Sequence, residues 1–383
     1  MALFKTPEYT LIGSKALEEA KPYLKKCGKK ALIVTGKHVV LSDMMAELKK
    51  ALEEIGIAYF VFDGITGEPT NVMIDEGIAA YKENGCDFCI GIGGGSPLDS
   101  AKAIAAMITN EGKIADYNGK VIEKPIPPVV AIPTTAGTGS EATQFTVITD
   151  VEKDIKMLLK GGYLVPKIAI VDPAYTYSVP KSITAATGMD ALTHAIEAYT
   201  SRKALPVTDT LAVSAVKRIM KYLPAAYKDG SDEKARYEMS VASYEAGICI
   251  NNSTVTLVHG MSRPIGALFH VAHGISNAML LTKCLAFALD GAYEKFANLG
   301  REIGAATAED DDKTASEKFI EALNEICKIC EIPTLLEYGI PKDEFFAHME
   351  KMAHDALTSG SPGNTMKPIS EQDIIEIYKK LWE

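Results

Sequence analysis

The stretch "FCIGIGGGSPLDSAKAIA" (88–105) decides the architecture. It opens with a short apolar run of strand length, passes through Gly93, Gly94, Gly95 and Ser96, and continues with apolar residues at helical spacing. A strand that turns through glycine directly into a helix is half of a βαβ unit, whose strands are parallel. Outward from it, runs of the same kind recur at "ALIVTG" (31–36), "AYFVFD" (58–63), "VVAIPTT" (129–135) and "IAIVDP" (168–173), separated by amphipathic helical stretches. The alternation predicts an α/β domain with a parallel sheet wrapped by helices. Each run stops at Gly, Asp or Pro-Thr, and open α/β sheets bind ligands at the carboxyl ends of their strands.

After Pro180 the texture changes to long helical periodicities interrupted by loops such as "KDGSDEK" (228–234) and "AEDDDK" (308–313), without strand alternation. With 383 residues and 47% hydrophobic content, the chain is expected to form two domains: an α/β dinucleotide-binding domain over 1–180 and an all-helical domain over 181–383. From Ala246 to Leu289 the only full charges are Arg263 and Lys283. A membrane span needs about 20 mostly apolar residues in a row. Asn251, Asn252, His259, Arg263, Pro264, His270, His273 and Asn277 interrupt this stretch, which therefore reads as a helical core.

The formal charge of −10 without a basic block disfavours nucleic acid as a partner and favours small-molecule ligands. The opening "MALFKTPEYTLIGS" resembles neither a secretory leader nor an anchor, so a cytoplasmic protein with no membrane partner is expected. Seven scattered cysteines, two pairs of them spaced C-x-x-C, suit reduced buried thiols better than a disulfide framework or a zinc ribbon.

Three constellations carry chemistry. In "GIGGGSPLDSAKAIA" (91–105), glycines at a strand end let backbone N–H groups approach a phosphate, and the following helix N-terminus adds favourable partial charge. The alternative is a tight structural turn, because the G-x-G-x-x-G fingerprint is absent. In "AIPTTAGTGSEAT" (131–143), Thr134, Thr135, Thr138 and Ser140 offer hydroxyls and amides after another strand. Two such loops on one sheet favour a shared dinucleotide site. In "GMDALTHAIEAYTS" (188–201), Asp190, His194 and Glu197 form a polar stripe at i, i+4 and i+7 of a helix that is otherwise mostly apolar. Asp190 and His194, joined by His259 and His273 from the uncharged stretch, make a plausible cage for a divalent ion, since imidazole and carboxylate suit iron or zinc. The alternative is a set of unrelated core side chains with their own hydrogen bonds. The Asp-x-x-x-His spacing and the clustering of histidines tip the balance to a metal.

The segments "GGGSPLDSAK" (93–102), "PTTAGTGSE" (133–141), "GMDALTHAIEAYTS" (188–201) and "HGMSRPIGALFHVAHG" (259–274) together resemble those of the iron-containing (group III) alcohol dehydrogenases, in the same order and across almost the whole chain. The resemblance implies the dehydroquinate synthase-like fold of that family, with cofactor and metal in a cleft between its two domains. It assigns the metal, Fe2+ or alternatively Zn2+, to Asp190, His194, His259 and His273. It assigns pyrophosphate contacts to Gly94, Gly95 and Ser96 with Asp99 nearby, cofactor contacts to Thr134, Thr135 and Thr138, and the nicotinamide ribose to Lys156, whose alternative is a solvated lysine in "EKDIKMLLK". The implied activity is a metal-dependent, NAD(P)(H)-linked alcohol dehydrogenase or aldehyde reductase acting on a small alcohol or aldehyde, anionic and diol substrates included. A homo-oligomer, dimer or larger, is expected.

Departures from the family pattern carry their own expectations. Many members have histidine where this chain has Arg263; arginine does not titrate usefully, so its expected roles are an anion clamp on the substrate or a structural ion pair. Another group or water must then move the proton; His270 is a candidate to assist it, or packs beside the cleft. NAD-preferring relatives often carry an aspartate after the first strand, where this chain has Gly36 followed by Lys37 and His38. NADP(H) is therefore open beside NAD(H), with a slight tilt towards it. Ala272 replaces the proline that usually precedes the last metal histidine, an exchange expected to loosen that loop and keep the ligand. The rival readings are a glycerol dehydrogenase-like or dehydroquinate synthase-like enzyme on the same fold, and a non-catalytic scaffold.

Overall fold

The computed structural model describes residues 3–383. Six strands, β1 (Tyr9–Ile12), β2 (Lys30–Val34), β3 (Ala58–Phe62), β4 (Phe88–Gly93), β5 (Val129–Pro133) and β8 (Ile168–Val171), form one sheet in the order β1-β8-β5-β4-β2-β3. All five neighbouring pairs are parallel. Its helices are α1 (Ala16–Leu24), α2 (Lys37–Val40), α3 (Asp43–Glu54), α4 (Asn71–Glu83) and α5 (Gly95–Thr109). The near-continuous apolar runs arise because both sheet faces are covered. Along β2, Ala31 and Ile33 join a core with Leu17 and Leu24 of α1 and Leu48 and Leu52 of α3. Leu32 and Val34 point into the opposite core, with Ile74 of α4 and Ile104 of α5.

Two features go beyond the sequence expectation. The first is β1, which extends the sheet by pairing Tyr9 through Ile12 with Ile168 through Val171. The second is an antiparallel hairpin of β6 (Phe145–Asp150) and β7 (Ile155–Lys160), separate from the main sheet.

From Val179 onward the described residues form helices and no strand: α6 (Lys181–Tyr199), α7 (Pro206–Lys228), α8 (Glu233–Asn252), α9 (Leu257–Phe269), α10 (His273–Ala288), α11 (Tyr293–Glu302), α12 (Asp312–Ile329), α13 (Leu335–Tyr338), α14 (Lys342–Thr358) and α15 (Glu371–Lys380). The fold class is thus the expected one, a parallel α/β part followed by a helical part. The chain divides into two compact units between Ser178 and Val179. Helix α6 is buried on almost every side from Thr184 to Tyr199, because α7, α8 and α10 all pack against it. Its Thr193 hydroxyl donates back to the Met189 carbonyl at 2.8 Å, so burial leaves that group satisfied. No helix among the described residues is long and apolar enough to cross a membrane.

Candidate metal centre and nucleotide loops

In the first unit, β4 and β5 pair in register up to Gly93 and Pro133, so the loops that follow start side by side. The Thr134 amide donates to the Gly93 carbonyl at 2.8 Å and locks the two together. Gly93 has φ +147°, a conformation that side chains rarely adopt, and this turn drops the chain directly into α5. Gly94 caps α5 and opens towards Thr135, whose side chain lies 3.7 Å from where a Cβ would stand; at Gly95 a Cβ would meet the Thr138 side chain at 2.9 Å. The sequence-predicted Gly94, Gly95, Ser96, Thr134, Thr135 and Thr138 are therefore brought together at the carboxyl end of the sheet. Ser96, Thr135 and Thr138 are part-exposed and Thr134 is buried.

Asp99 is committed internally: its carboxylate accepts from Ser140 Oγ at 2.5 Å and from the Val147 amide at 2.8 Å, tying α5 to the threonine loop and to β6. Lys156 lies on β7 in an ion pair with Glu68 at 2.5 Å. Gly36 ends the β2 turn, where a Cβ would meet the Ile65 carbonyl oxygen at 2.8 Å.

In the second unit, α6, α9 and α10 bring four side chains together. Asp190 Oδ1 lies 3.9 Å from His194 Nε2, 3.7 Å from His259 Nε2 and 3.6 Å from His273 Nε2. The ligand atoms of Asp190, His259 and His273 all lie within 4.8 Å of one another. His194 completes the arrangement by stacking on His259, ring centroids 4.6 Å apart. Asp190, His194 and His259 are buried, whereas the His273 side chain is 41% exposed and gives the cluster one open side.

The donor set fits a divalent ion. Bonds of about 2.0–2.2 Å in a tetrahedron put ligand atoms about 3.3–3.6 Å apart, close to the 3.6–3.9 Å that separate Asp190 Oδ1 from the three imidazole nitrogens, and an ion at their centre takes the place of the Asn277 amide nitrogen. The amide nitrogen of Asn277 lies at the point of convergence, 2.7 Å from Asp190 Oδ1 and 3.2 Å from Nε2 of both His259 and His273. Its Oδ1 is buried without a hydrogen-bond partner. The two hydrogens of this amide face three acceptors, so acceptors outnumber donors at this point, an environment that suits positive charge. Burial would raise the Asp190 carboxyl, but His194, His273 and His259 hold it well below the usual carboxylate range. Burial would likewise lower His259, yet Glu197 and Asp190 raise it.

Glu197 received no role from sequence, although it belongs to the α6 stripe. Fully buried, it accepts from His259 Nδ1 at 2.5 Å, from the Val258 amide at 2.6 Å and from Thr256 Oγ1 at 2.8 Å. Its spacing of seven from Asp190 was the available signal; its partners lie some sixty residues on. Asn277 left a fainter trace, one turn after His273.

Arg263 is half-buried and donates to Ser361 Oγ at 3.0 Å; burial lowers its pKa, against the attraction of the buried Glu197 carboxylate, which raises it. His270 is exposed and terminates α9 in the left-handed conformation, φ 53°. Ala272 caps α10 with φ −56°, inside the range proline would impose, so the exchange preserves the backbone at this turn.

The model of "Iron-containing alcohol dehydrogenase" matches residues 7–173 and that of "Fe-containing alcohol dehydrogenase family, C-terminal" matches residues 184–382. The chain is 38% identical over 382 residues to the NAD-dependent methanol dehydrogenase of Bacillus methanolicus, covering 99% of each chain. It is 37% identical over 385 residues to alcohol dehydrogenase 4 of Saccharomyces cerevisiae, covering 99% of this chain and 98% of the relative. The crystal structure of a 1,3-propanediol oxidoreductase superposes over the whole of both chains with a TM-score of 0.95 at 34% identity. Likeness at this level across both units, together with the aspartate–histidine cluster, means that the chain belongs to the iron-containing alcohol dehydrogenase family.

Proposed function

We propose that the protein is a metal-dependent, NAD(P)(H)-linked alcohol dehydrogenase or aldehyde reductase, passing hydride between nicotinamide C4 and the carbon of a small alcohol or aldehyde. The observation that carries this reading is the approach of three imidazole nitrogens to within 3.9 Å of one Asp190 oxygen. Asp190, His194, His259 and His273 would hold the ion, Fe2+ in first place and Zn2+ as the alternative. A divalent ion there supplies Lewis acidity towards the substrate oxygen.

The rest falls to the chain's own groups. Gly94, Gly95 and Ser96 at the start of α5 offer amides to the pyrophosphate, and Thr134, Thr135 and Thr138 line the same end of the sheet. Gly36, without an acidic side chain after β2, leaves both NAD(H) and NADP(H) acceptable. Lys156 reaches the nicotinamide ribose only by exchanging its Glu68 partner. Arg263, bonded to Ser361 and one turn beyond His259, suits an anionic substituent on the substrate, and His270 or water would move the proton. The same reading takes the protein to be a cytoplasmic homo-oligomer, whose size sedimentation velocity measures.

The test is turnover by iron-reconstituted protein with NADH and NADPH against short neutral, hydroxylated and anionic aldehydes. Wild type is expected to reduce at least one class, and Arg263→Ala to raise KM at least about tenfold for anionic aldehydes alone. No turnover with any aldehyde contradicts the enzymatic reading; an equal KM rise for neutral aldehydes contradicts the role of Arg263.

A further inference from the structure

We infer that Glu197 is a positioning residue for the metal centre, holding His259 in the one tautomer and ring orientation that turn Nε2 towards Asp190. The inference rests on the metal centre proposed above and adds to it a carboxylate that touches no ion itself.

Glu197 is anchored at both oxygens. Oε1 accepts from the Val258 amide and the Thr256 hydroxyl, the residues that bracket the start of α9, while Oε2 faces His259 Nδ1 at 2.5 Å. The Val258 amide is one of the first N–H groups of α9, which have no partner within their own helix. Thr256, the residue preceding α9, supplies no side-chain cap, so a carboxylate from α6 takes that place and brings negative charge to the positive end of the helix. Helix α9 is thereby pinned to α6 at the turn that carries His259.

Tautomer choice follows from donor and acceptor chemistry. An ionised carboxylate only accepts, so the proton of neutral His259 must sit on Nδ1, leaving the Nε2 lone pair free to ligate. Nε2 is the atom 3.7 Å from Asp190 Oδ1. Charge points the same way. Asp190 would offset part of the charge of a divalent ion, and Glu197, which also faces the Arg263 guanidinium, adds negative charge from behind an imidazole without occupying a ligand position.

A purely structural role, capping α9, predicts a different outcome, which separates the two accounts. Metal-stripped full-length protein is titrated with Co2+ against a chromophoric chelator, with the melting temperature of the metal-free form measured in parallel. Glu197→Gln keeps volume and can still accept from Val258 and Thr256 through its oxygen, but its amide donates to Nδ1 and forces the proton onto Nε2. Co2+ affinity is expected to fall 10- to 100-fold, roughly the cost of losing such an outer partner, with the metal-free melting temperature little changed. Unchanged affinity overturns the inference, as does a melting temperature that falls while affinity holds. If Glu197→Gln does not fold, Thr256→Val removes one anchor of the carboxylate and is expected to weaken Co2+ several-fold; no change there overturns the inference equally. Wild type that binds no Co2+ in the same titration overturns the metal-centre reading itself, a result distinct from the others.

Discussion

Lys102 is fully buried on α5, and its ammonium donates to Ser140 Oγ at 2.8 Å, Thr143 Oγ1 at 3.2 Å and the Phe145 carbonyl at 2.9 Å. Asp99 lies 3.9 Å away, and the buried Glu141 sits on the same loop. Burial lowers Lys102 to about 8 despite Asp99 and Glu141, and raises Glu141 to about 7 despite Lys102. The two groups act on stability in opposite windows. Unfolded glutamate titrates near ~4.3, so between there and about 7 the folded chain holds more protons at Glu141 and stability falls as pH rises. Unfolded lysine titrates near ~10.4, so between about 8 and that value the unfolded chain holds more protons and stability rises with pH. Glu141→Gln removes the first contribution. Thermal melts across pH are expected to lose the decline between about pH 4.5 and 7, and the variant to be more stable than wild type near pH 8 by roughly 1–3 kcal/mol. An unchanged pH profile contradicts the assignment.

At the scale of elements, the metal cluster depends on how closely α10 approaches α6. Gly274, the residue after His273, has no room for a side chain: a Cβ would stand 2.2 Å from the Ala186 carbonyl oxygen and 2.8 Å from its carbonyl carbon. Both are backbone atoms that cannot rotate away, so any larger residue must push the start of α10 off α6 and carry His273 with it. Gly274→Ala is expected to cost about 1–3 kcal/mol of stability, the usual range for overpacking, and to weaken metal binding at least about tenfold. Thermal melts and metal titration check both. A stability loss with intact metal affinity contradicts the idea that this approach places His273.

For the molecule as a whole, legibility in the sequence followed burial. Strands β2 to β5 and β8, covered on both faces or flanked by clear turn residues, were readable as apolar runs ending at Gly, Asp or Pro-Thr. The four residues of β1 were too short to stand out. On β7, Met157 and Leu159 are buried on one face while Leu158 on the other is apolar and exposed, so apolar residues on both faces blur the alternation that marks a strand. In the site, Asp190 and His194 were legible because one helix fixes their spacing, and His259 and His273 because histidine is rare in an uncharged stretch. The roles of Glu197 and Asn277 were not, since each depends on contacts between helices far apart in sequence. Arg263 and His270 stood out only by their residue types, which name a chemistry without naming a partner.

The central claim is that one ion is held by four named side chains, and anomalous diffraction at the iron edge from crystals of the iron-reconstituted protein tests it most directly. The account predicts a single strong peak per chain, about 2.0–2.2 Å from a carboxylate oxygen of Asp190 and from Nε2 of His194, His259 and His273. No peak at that point, or a peak held by other residues, would contradict it.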